Sequence, residues 1–178
     1  PGVQSALLAV LGNLARPGDV VLCEALTYPG LRAIAGQLGL RLVGVPLDDD
    51  GIDPDALAKL CAEHHPKVLY CNPVLLNPAA VTLSDERRHR VVQIARRHNL
   101  PIIEDDAYGL LPSHRPPALA ALAPELTYYL CGFSKSLGAG LRIAYLALPS
   151  ARLRSRLAVT LRATTVMASL ITAALASC

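Results

Sequence analysis

The sequence predicts an α/β protein with three layers (αβα), in which helices cover both faces of a mostly parallel sheet that has one antiparallel strand. Two observations lead to this fold class. Short apolar runs typical of buried strands alternate with longer helical patterns, and that order favours parallel strands joined by crossover helices. The link between the expected strands at 126–131 and 142–148 has no room for such a helix, so the last strand is expected to run antiparallel.

The first half of the chain contains clear signals for where elements start and stop. Apolar residues at helical spacing begin at Val3, and Pro17-Gly18 ends that helix. Asp53 suits a helix N-cap, and Pro54 suits the first helical position. The elements expected here are, in order, a helix over 2–15, a strand over 19–23, a helix over 29–38, a strand over 41–45, a turn over 48–51 and a helix over 53–64.

The second half alternates in the same way. Ser84 suits the N-cap of a helix that is polar on one face and apolar on the other. No internal repeat or low-complexity linker interrupts the pattern. The elements expected here are a strand over 67–71, a helix over 85–98, strands over 101–105, 126–131 and 142–148, and two helices after 150.

Length and composition describe one domain with a sizeable core. The 178 residues are 52% hydrophobic and 17% charged, and a chain of this length buries about 70% of its unfolded surface. The net charge of +3 is too small and too scattered for nucleic-acid binding by this segment. The apolar tail over 157–178 contains Arg162 and several hydroxyl residues, so we expect a buried or interfacial helix there rather than a membrane span.

The five cysteines and five histidines show no spacing typical of a disulfide framework or a metal site. Cys23, Cys71 and Cys131 fall within apolar runs, where cysteine behaves as a small hydrophobic residue. We therefore expect reduced thiols, no bound metal and a cytoplasmic protein. The chain starts without methionine and stops within an apolar helical pattern, so it is expected to be a fragment of a longer protein.

Polar side chains collect where the parallel strands are expected to end. In open α/β sheets, ligands bind beyond the carboxyl ends of the strands. The N-terminus of the first helix, at residues 2–4, offers free amides and a helix dipole that suit an anion. The side chains that follow the strand ends comprise an aromatic ring, amides, carboxylates, a phenol, a hydroxyl and an amine: Tyr28, Asn72, Asn77, Asp105, Asp106, Tyr108, Ser134 and Lys135.

Lys135 is one of only three lysines, and it alone lies among glycine, serine and apolar neighbours. A lysine amine can lose its proton and attack a carbonyl, which a guanidinium effectively cannot do. One ligand needs all the groups at this edge, namely pyridoxal 5′-phosphate. Its phosphate needs an anion cradle, its aldehyde an amine, its pyridine nitrogen a carboxylate, its phenolic oxygen hydrogen-bond donors and its ring an aromatic platform.

The chain resembles the large domain of fold-type I pyridoxal-phosphate enzymes, the class I/II aminotransferases. It is most similar to the aminotransferase-like domain of GntR-type regulators of the MocR group and to the 2-aminoadipate aminotransferases. The resemblance implies a cofactor-binding core over 1–150, with helices over 151–178 that lead toward a small domain. The stretches that carry it occur in the family's order: PGVQSAL, ALTYPG, VLYCNPVLLNPAAVTLSDERR, LPIIEDDAYG and GFSKSLGAGLRIAYLALP.

The resemblance implies roles for four residues around the cofactor ring. Lys135 is the Schiff-base lysine and moves the proton at the substrate carbon. Asp105, which stands three residues before Tyr108, pairs with the pyridine nitrogen, although spacing alone does not exclude Asp106. Tyr108 and Asn77 hydrogen-bond the phenolic oxygen. Lys135, Asp105 and Tyr108 are therefore the expected catalytic residues.

Five further residues are implied as cofactor ligands. Tyr28 stacks on the ring of the cofactor. Ser134 and Arg142 hold the phosphate together with the start of the first helix. The helix contributes Val3 and Gln4 to that phosphate site.

The chain departs from the family pattern at two points. The family usually has Asn-Pro-Thr-Gly where this chain has Asn-Pro-Ala-Ala at 77–80, and loss of the glycine restricts the backbone of that turn. The family also tends to place Ser or Thr three residues before the lysine, where this chain has Gly132. One lost hydrogen bond of that kind costs about 1–3 kcal/mol, so weaker phosphate binding is expected.

The same site suits two functions. The site residues do not separate the two, but the CNPVLLNP and EDDAYG stretches and the arginine-rich helices resemble the regulators slightly more. This resemblance favours the effector-sensing and dimerisation domain of a GntR/MocR-type transcriptional regulator, which detects an amino acid or amine. The alternative is a free-standing aminotransferase that passes an amino group from an amino acid to a 2-keto acid, and other reactions of the fold, such as β-elimination, remain open. A homodimer is expected, with DNA bound only through a domain absent from this chain and with no membrane contact. The 178 residues alone are expected to lack transaminase activity.

Overall fold

A computed structural model describes residues 2–114, 116–165 and 167–176. The strands of the described chain are β1 (Val20–Glu24), β2 (Arg41–Val45), β3 (Leu47–Asp48), β4 (Gly51–Ile52), β5 (Val68–Cys71), β6 (Ile102–Asp106), β7 (Thr127–Gly132) and β8 (Ala144–Ala147). The helices are α1 (Val3–Leu14), α2 (Pro29–Gln37), α3 (Pro54–His64), α4 (Asp85–His98), α5 (Leu119–Leu122), α6 (Ala151–Thr165) and α7 (Leu170–Leu175).

Six of these strands form one mixed sheet in the order β2-β1-β5-β6-β7-β8. The first five strands in that order are mutually parallel. β8 pairs antiparallel with β7, so that Leu130 lies opposite Leu146. The three-layer fold class and the antiparallel last strand are both confirmed.

Helices α3 and α4 begin directly after the capping residues that the sequence predicted, Asp53 and Ser84. The Asp53 side chain accepts hydrogen bonds from the backbone N–H groups of Asp55 and Ala56, and Ser84 accepts one from Arg87. These bonds satisfy amides that have no partner within the helix.

Two short elements differ from the prediction: residues 47–52 form a β3-β4 hairpin rather than only a turn, and the one-turn α5 is too short to give a periodic signal.

Two hydrophobic clusters lie on opposite faces of the sheet. On one face Leu22 and Ile102 pack with residues of α3, α4 and α5. On the other face Tyr70 and Ile103 pack with residues of α1, α2 and α6. Because side chains alternate along a strand, Asp105 points to the α1 face and its two neighbours on β6 point to the α4 face.

A buried ion pair joins the α4 face to the loops that follow the strands. The guanidinium of Arg88, which is fully buried, lies 3.8 Å from the carboxylate of Glu104. It also donates hydrogen bonds to the backbone oxygens of Pro73, Leu83 and Pro117. Glu104 in turn accepts from the first two amides of α5. This pair therefore ties together two loops beyond the strand ends, the one between β5 and α4 and the one between β6 and α5.

The C-terminal helices carry little buried surface. Leu157 is the buried residue of α6, and α7 has no buried residue among those described. The tail was expected to be buried or interfacial, and of these two placements burial is not found for the described part of α7, where Leu170 and Ile171 are 71% and 75% exposed. Among the described residues, no helix has the length and hydropathy needed to cross a bilayer.

Candidate functional site

A cavity of about 150 Å³ lies at the carboxyl ends of the parallel strands, next to the N-terminus of α1. The loops after β1, β5, β6 and β7 and the first turn of α1 all contribute to its wall. Every residue that the sequence singled out as a cofactor ligand lines it. The lining consists of Val3, Gln4, Leu7, Tyr28, Tyr70, Asn72, Asn77, Asp105, Ala107, Tyr108, Gly132, Ser134, Lys135 and Arg142.

The start of α1 forms a cationic corner of this cavity. Gly2, the N-cap, has φ +81°, a conformation that favours glycine. The Arg142 guanidinium lies 3.8–3.9 Å from where a Cβ on Gly2 would stand. The first turn of α1 contains no acidic residue. Free amides, the helix dipole and a guanidinium therefore meet at one point, which suits an anion such as a phosphate.

The loop between β7 and β8 carries Ser134 and Lys135. The Ser134 hydroxyl donates a hydrogen bond to the backbone oxygen of Leu141 at 3.0 Å, so its single proton is already used within the loop. Lys135 is exposed at the cavity wall. Among the described residues that line the cavity, it contributes the one amine.

Tyr28 is held in place by α1 and by its own turn. The Gln4 side-chain amide donates a hydrogen bond to the Tyr28 phenol at 3.2 Å. The Tyr28 ring lies directly over Gly30, where any Cβ would overlap it, so this glycine is required by the ring. Since the Gln4 side chain contacts the phenol, Gln4, which is expected at the phosphate, would reach an anion through its backbone N–H.

Asp105 is buried at the base of the cavity and is only half satisfied. Its Oδ2 accepts a hydrogen bond of 2.8 Å from the Tyr70 phenol. Its Oδ1 is buried and has no hydrogen-bond partner among the described residues. Burial raises the pKa of Asp105 to about 6, with a further contribution from the charge of Asp106, while the Tyr70 hydrogen bond acts in the opposite direction.

The neighbouring carboxylate, Asp106, faces the other side of the sheet. It accepts a hydrogen bond from the Tyr129 phenol and does not line the cavity. The choice between the two aspartates, which spacing left open, thus follows from strand alternation. Of the two, Asp105 is the one available to a ligand in the cavity.

Asn72 connects the cavity wall to a buried carboxylate behind it. Its side chain donates to the backbone oxygen of Asp105 at 2.5 Å and accepts from the backbone N–H of Asn77 at 3.1 Å. Its own backbone N–H donates to Glu24 at 2.5 Å. Burial is the main cause that raises the pKa of Glu24 to about 7. Asn72 therefore fixes two of the loops that carry expected ligands.

The turn that lacks the family's glycine keeps a glycine-like backbone. Ala80 has φ +57°, in the left-handed region that costs a residue with a Cβ about 1–2 kcal/mol. Backbone hydrogen bonds from Leu76 to Val81 and from Ala80 to Leu76 close the turn. The Asn77–Pro78 peptide bond is cis. Asn77 reaches the cavity despite the substitution.

Two contributors to the site, Tyr70 and Glu24, were not singled out in the sequence. Tyr70 lies within the predicted strand over 67–71, and Glu24 directly follows the predicted strand over 19–23 and belongs to β1 in the structure. A phenol or a carboxyl group in a fully buried strand needs a hydrogen-bond partner. That requirement is the signal that could have marked both residues as parts of a polar network.

Comparison with known proteins identifies the family. A family model described as aminotransferase class I and II matches residues 1–178. The chain belongs to this family. The match confirms the family resemblance drawn from the sequence, and it supports pyridoxal 5′-phosphate as the cofactor.

Relatives of this chain include both regulators and aminotransferases. An uncharacterised HTH-type transcriptional regulator of Bacillus subtilis, YdeF, is 38% identical over 148 residues, which are 83% of this chain and 32% of the regulator. Aromatic-amino-acid aminotransferase 1 of Thermococcus litoralis is 32% identical over 154 residues, 82% of this chain and 37% of that enzyme. The chain thus spans about a third of the length of the curated relatives it matches.

Solved structures of the family share the fold. LysN, an α-aminoadipate aminotransferase of Thermus thermophilus, superposes with a TM-score of 0.89 at 31% identity, over 96% of this chain and 45% of LysN. That LysN structure is a complex with N-(5′-phosphopyridoxyl)-L-leucine. The expected kinship with aminoadipate aminotransferases is confirmed.

Proposed function

We propose that this chain binds pyridoxal 5′-phosphate in the cavity and forms the effector-sensing and dimerisation domain of a GntR/MocR-type transcriptional regulator. The observation that supports the cofactor most strongly is the Oδ1 atom of Asp105, which is buried without a hydrogen-bond partner in the part of the chain that the structure describes, in the same cavity wall as Lys135. A buried acceptor without a partner costs about 1–3 kcal/mol, and a protonated ring nitrogen would satisfy it. The donor set therefore fits this cofactor.

Each end of the cofactor has residues of this chain to hold it. The Asp105 carboxylate would accept the hydrogen bond of the pyridine nitrogen, and Tyr108 and Asn77 would bind the phenolic oxygen. The Tyr28 ring, fixed by Gln4, would cover the ring face. The phosphate would lie at the cationic corner: the amides at Val3 and Gln4, the Arg142 guanidinium and the loop of Ser134.

The reactive group of this chain is the amine of Lys135. When bound, the cofactor supplies an electron sink for chemistry at the carbon next to an amine. Lys135 Nζ would bind the aldehyde carbon in the resting state, and would take up and return the proton of the substrate carbon. The buried Asp105 would keep the ring nitrogen protonated, because an ionised carboxylate stabilises a neighbouring cation.

The regulator is favoured over a free-standing enzyme by the relatives. Over more than four fifths of this chain, the regulator YdeF shares 38% identity and the aminotransferase of Thermococcus litoralis shares 32%. Aminotransferase swnA of Metarhizium robertsii shares 41%, but over only 62% of the chain. A transaminase acting on an amino acid and a 2-keto acid is the second candidate, supported by the superposition on LysN. A DNA-binding segment upstream of residue 1 in the full reading frame would support the regulator, and a short arm would support the enzyme.

This proposal extends to the whole protein. In it, residues 1–150 are the cofactor-binding core, residues 151–178 lead toward a second domain, and two copies form a cytoplasmic homodimer. The ligand is an amino acid or another small amine, and DNA is contacted by a separate domain.

The cofactor proposal is tested by adding pyridoxal 5′-phosphate to the purified chain. We expect a yellow complex with visible absorbance, and a covalent adduct on Lys135 after borohydride reduction and peptide mass spectrometry. Lys135→Ala should remove both signals. Lys59→Ala is the matched control, because Lys59 is exposed on α3 and pairs with Glu63. An adduct that persists in Lys135→Ala, or no adduct in the wild type, would reject the proposal.

A further inference from the structure

The Asp105 carboxylate is bound by a phenol from the adjacent strand. Tyr70 on β5 donates to Asp105 Oδ2 at 2.8 Å. Both side chains are buried, with 0% and 4% exposure, and both line the cavity. The bond occupies one carboxylate oxygen and leaves the other, Oδ1, available to a ligand. Rotation of the carboxylate would break this bond, so Tyr70 holds its orientation.

We propose that Tyr70 is a positioning residue for Asp105, which orients the carboxylate and stabilises its ionised form for a cationic ring nitrogen. This inference rests on the proposed function, because the ring nitrogen belongs to the cofactor. Tyr70 itself acts through Asp105, and its contribution is separate from those of the residues that touch the cofactor.

The charges around the pair explain why a phenol is suited to this position. The charged groups near Asp105 are Asp106, which faces the other side of the sheet, and Glu24 on β1. Lys135 and Arg142 line the same cavity as Asp105, as do the phenols of Tyr28 and Tyr108. Burial, followed by the charges of Asp105 and Glu24, raises the pKa of Tyr70 well above its usual range. The phenol therefore stays protonated and remains a donor. A hydrogen bond from the Tyr70 phenol to the ionised carboxylate stabilises that ionised form. It therefore lowers the pKa of Asp105, whereas burial raises it.

The opposite face of the sheet provides a matched control. Tyr129 on β7 donates to Asp106 Oδ2, so adjacent carboxylates on β6 each receive a phenol from a neighbouring strand. Only the Tyr70–Asp105 pair lines the cavity. A general loss of strand-to-strand hydrogen bonding should affect both pairs, whereas a role in cofactor binding should affect only Tyr70.

The test compares Tyr70→Phe, Tyr129→Phe and the wild-type 178-residue chain, with pyridoxal 5′-phosphate as the probe. We expect Tyr70→Phe to bind the cofactor about tenfold more weakly, the factor typical of one lost hydrogen bond to a charged group. The pH at which the absorbance of the bound cofactor changes should also differ between Tyr70→Phe and the wild type. Tyr129→Phe should match the wild type in both measurements.

A second measurement uses the chain without cofactor. Because loss of the phenol raises the pKa of Asp105 further, the pH range over which the stability of Tyr70→Phe falls should extend to higher pH than in the wild type. Replacement of Tyr70 by 3-fluorotyrosine, a more acidic phenol of nearly the same shape, should shift this profile in the opposite direction. Because its shape is nearly that of tyrosine, we expect this replacement to fold and to provide the test if Tyr70→Phe does not fold.

The outcomes separate this inference from the cofactor proposal. If the wild type binds pyridoxal 5′-phosphate and Tyr70→Phe has the same affinity and pH profile, the role of Tyr70 is rejected and the cofactor proposal stands. Equal losses in Tyr70→Phe and Tyr129→Phe would reject it as well. If the wild type binds no cofactor, both proposals fail.

Discussion

Residue 132 is a glycine, and the neighbouring side chain of Val3 leaves no free space for a Cβ there. A Cβ on Gly132 would lie 2.7 Å from Val3 Cγ2 and 3.4 Å from the backbone oxygen of Ile143. The hydroxyl residue that the family tends to carry here is therefore excluded by Val3. The two positions lie at the same end of the cavity, so Val3 and Gly132 form a complementary pair.

We predict that Gly132→Ser destabilises the chain by about 1–3 kcal/mol, the usual cost of overpacking a close contact. Val3→Ala removes the methyl group that causes the clash, so the double variant should lose less than the sum of the two single variants. Urea unfolding of all four proteins in the double-mutant cycle measures this coupling. Strictly additive losses of unfolding free energy would show that Val3 does not limit the size of the side chain at position 132.

Several residue-scale features of the site followed from strand ends and family resemblance. The nine expected ligands come from different parts of the chain, yet all line one cavity, because parallel strands place their carboxyl ends at one edge of the sheet. Individual side-chain partners did not follow. The Gln4–Tyr28 and Tyr70–Asp105 bonds join residues 24 and 35 positions apart, and no local pattern reports such distant contacts.

At the scale of elements, α4 carries two kinds of arginine. Arg88 is fully buried against Glu104 and binds three backbone carbonyl groups in two loops. Arg96 on the same helix pairs with Glu125 at 2.8 Å, and both side chains are about half exposed. The helix therefore offers an internal comparison between a buried ion pair and one at the surface.

Arg88→Met should lower the free energy of unfolding by about 3–5 kcal/mol, because it leaves the Glu104 carboxylate buried without its cation. It should also loosen the loops that carry Asn77 and Tyr108, seen as faster amide hydrogen exchange there. Arg96→Met, the control, should cost much less, since solvent screens the exposed pair. If Arg88→Met and Arg96→Met lower the free energy of unfolding by similar amounts, burial does not make the Arg88–Glu104 pair more important for stability.

On the scale of elements, the sequence predicted most helices and strands to within about two residues. Local signals in the sequence are the helix caps at Asp53 and Ser84 and the helix stop at Pro17-Gly18, and helices begin or end at these signals in the structure. The β3-β4 hairpin and α5 were missed. Both are too short for periodicity, and α5 starts where Glu104 binds its first amides, a tertiary contact.

At the scale of the whole molecule, three buried acids control how stability depends on pH: the pKa of Glu104 is raised, mainly by burial, as are those of Glu24 and Asp105. The pKa values of Glu24 and Asp105 are raised to about 7 and about 6, in both cases mainly by burial. The folded chain therefore holds protons that the unfolded chain has released, and stability falls as pH rises through this range. The carboxylates of Asp48 and Glu125, whose pKa is lowered by arginine partners, act only at lower pH.

We predict that the chain without cofactor loses stability between about pH 5 and pH 7. For Glu24 the loss is on the order of 3 kcal/mol, since one pKa unit corresponds to about 1.4 kcal/mol. Glu24→Gln, which keeps an acceptor for the Asn72 amide, should flatten the upper part of this profile. Urea unfolding at several pH values provides the measurement, and a stability that rises from pH 5 to pH 7 would refute the assignment.

The sequence by itself determined the layers of this protein, the direction of its last strand and the edge of the sheet where the polar residues gather. These features depend on periodicity, capping and chain length between strands, which are local properties. The family resemblance implied Asp105 rather than Asp106, and the tertiary structure places it in the cavity. Only the tertiary structure decided that Tyr70 binds Asp105 and that Val3 occupies the space at Gly132. Those outcomes depend on strand pairing and side-chain packing between distant residues, which become defined only when the sheet has formed.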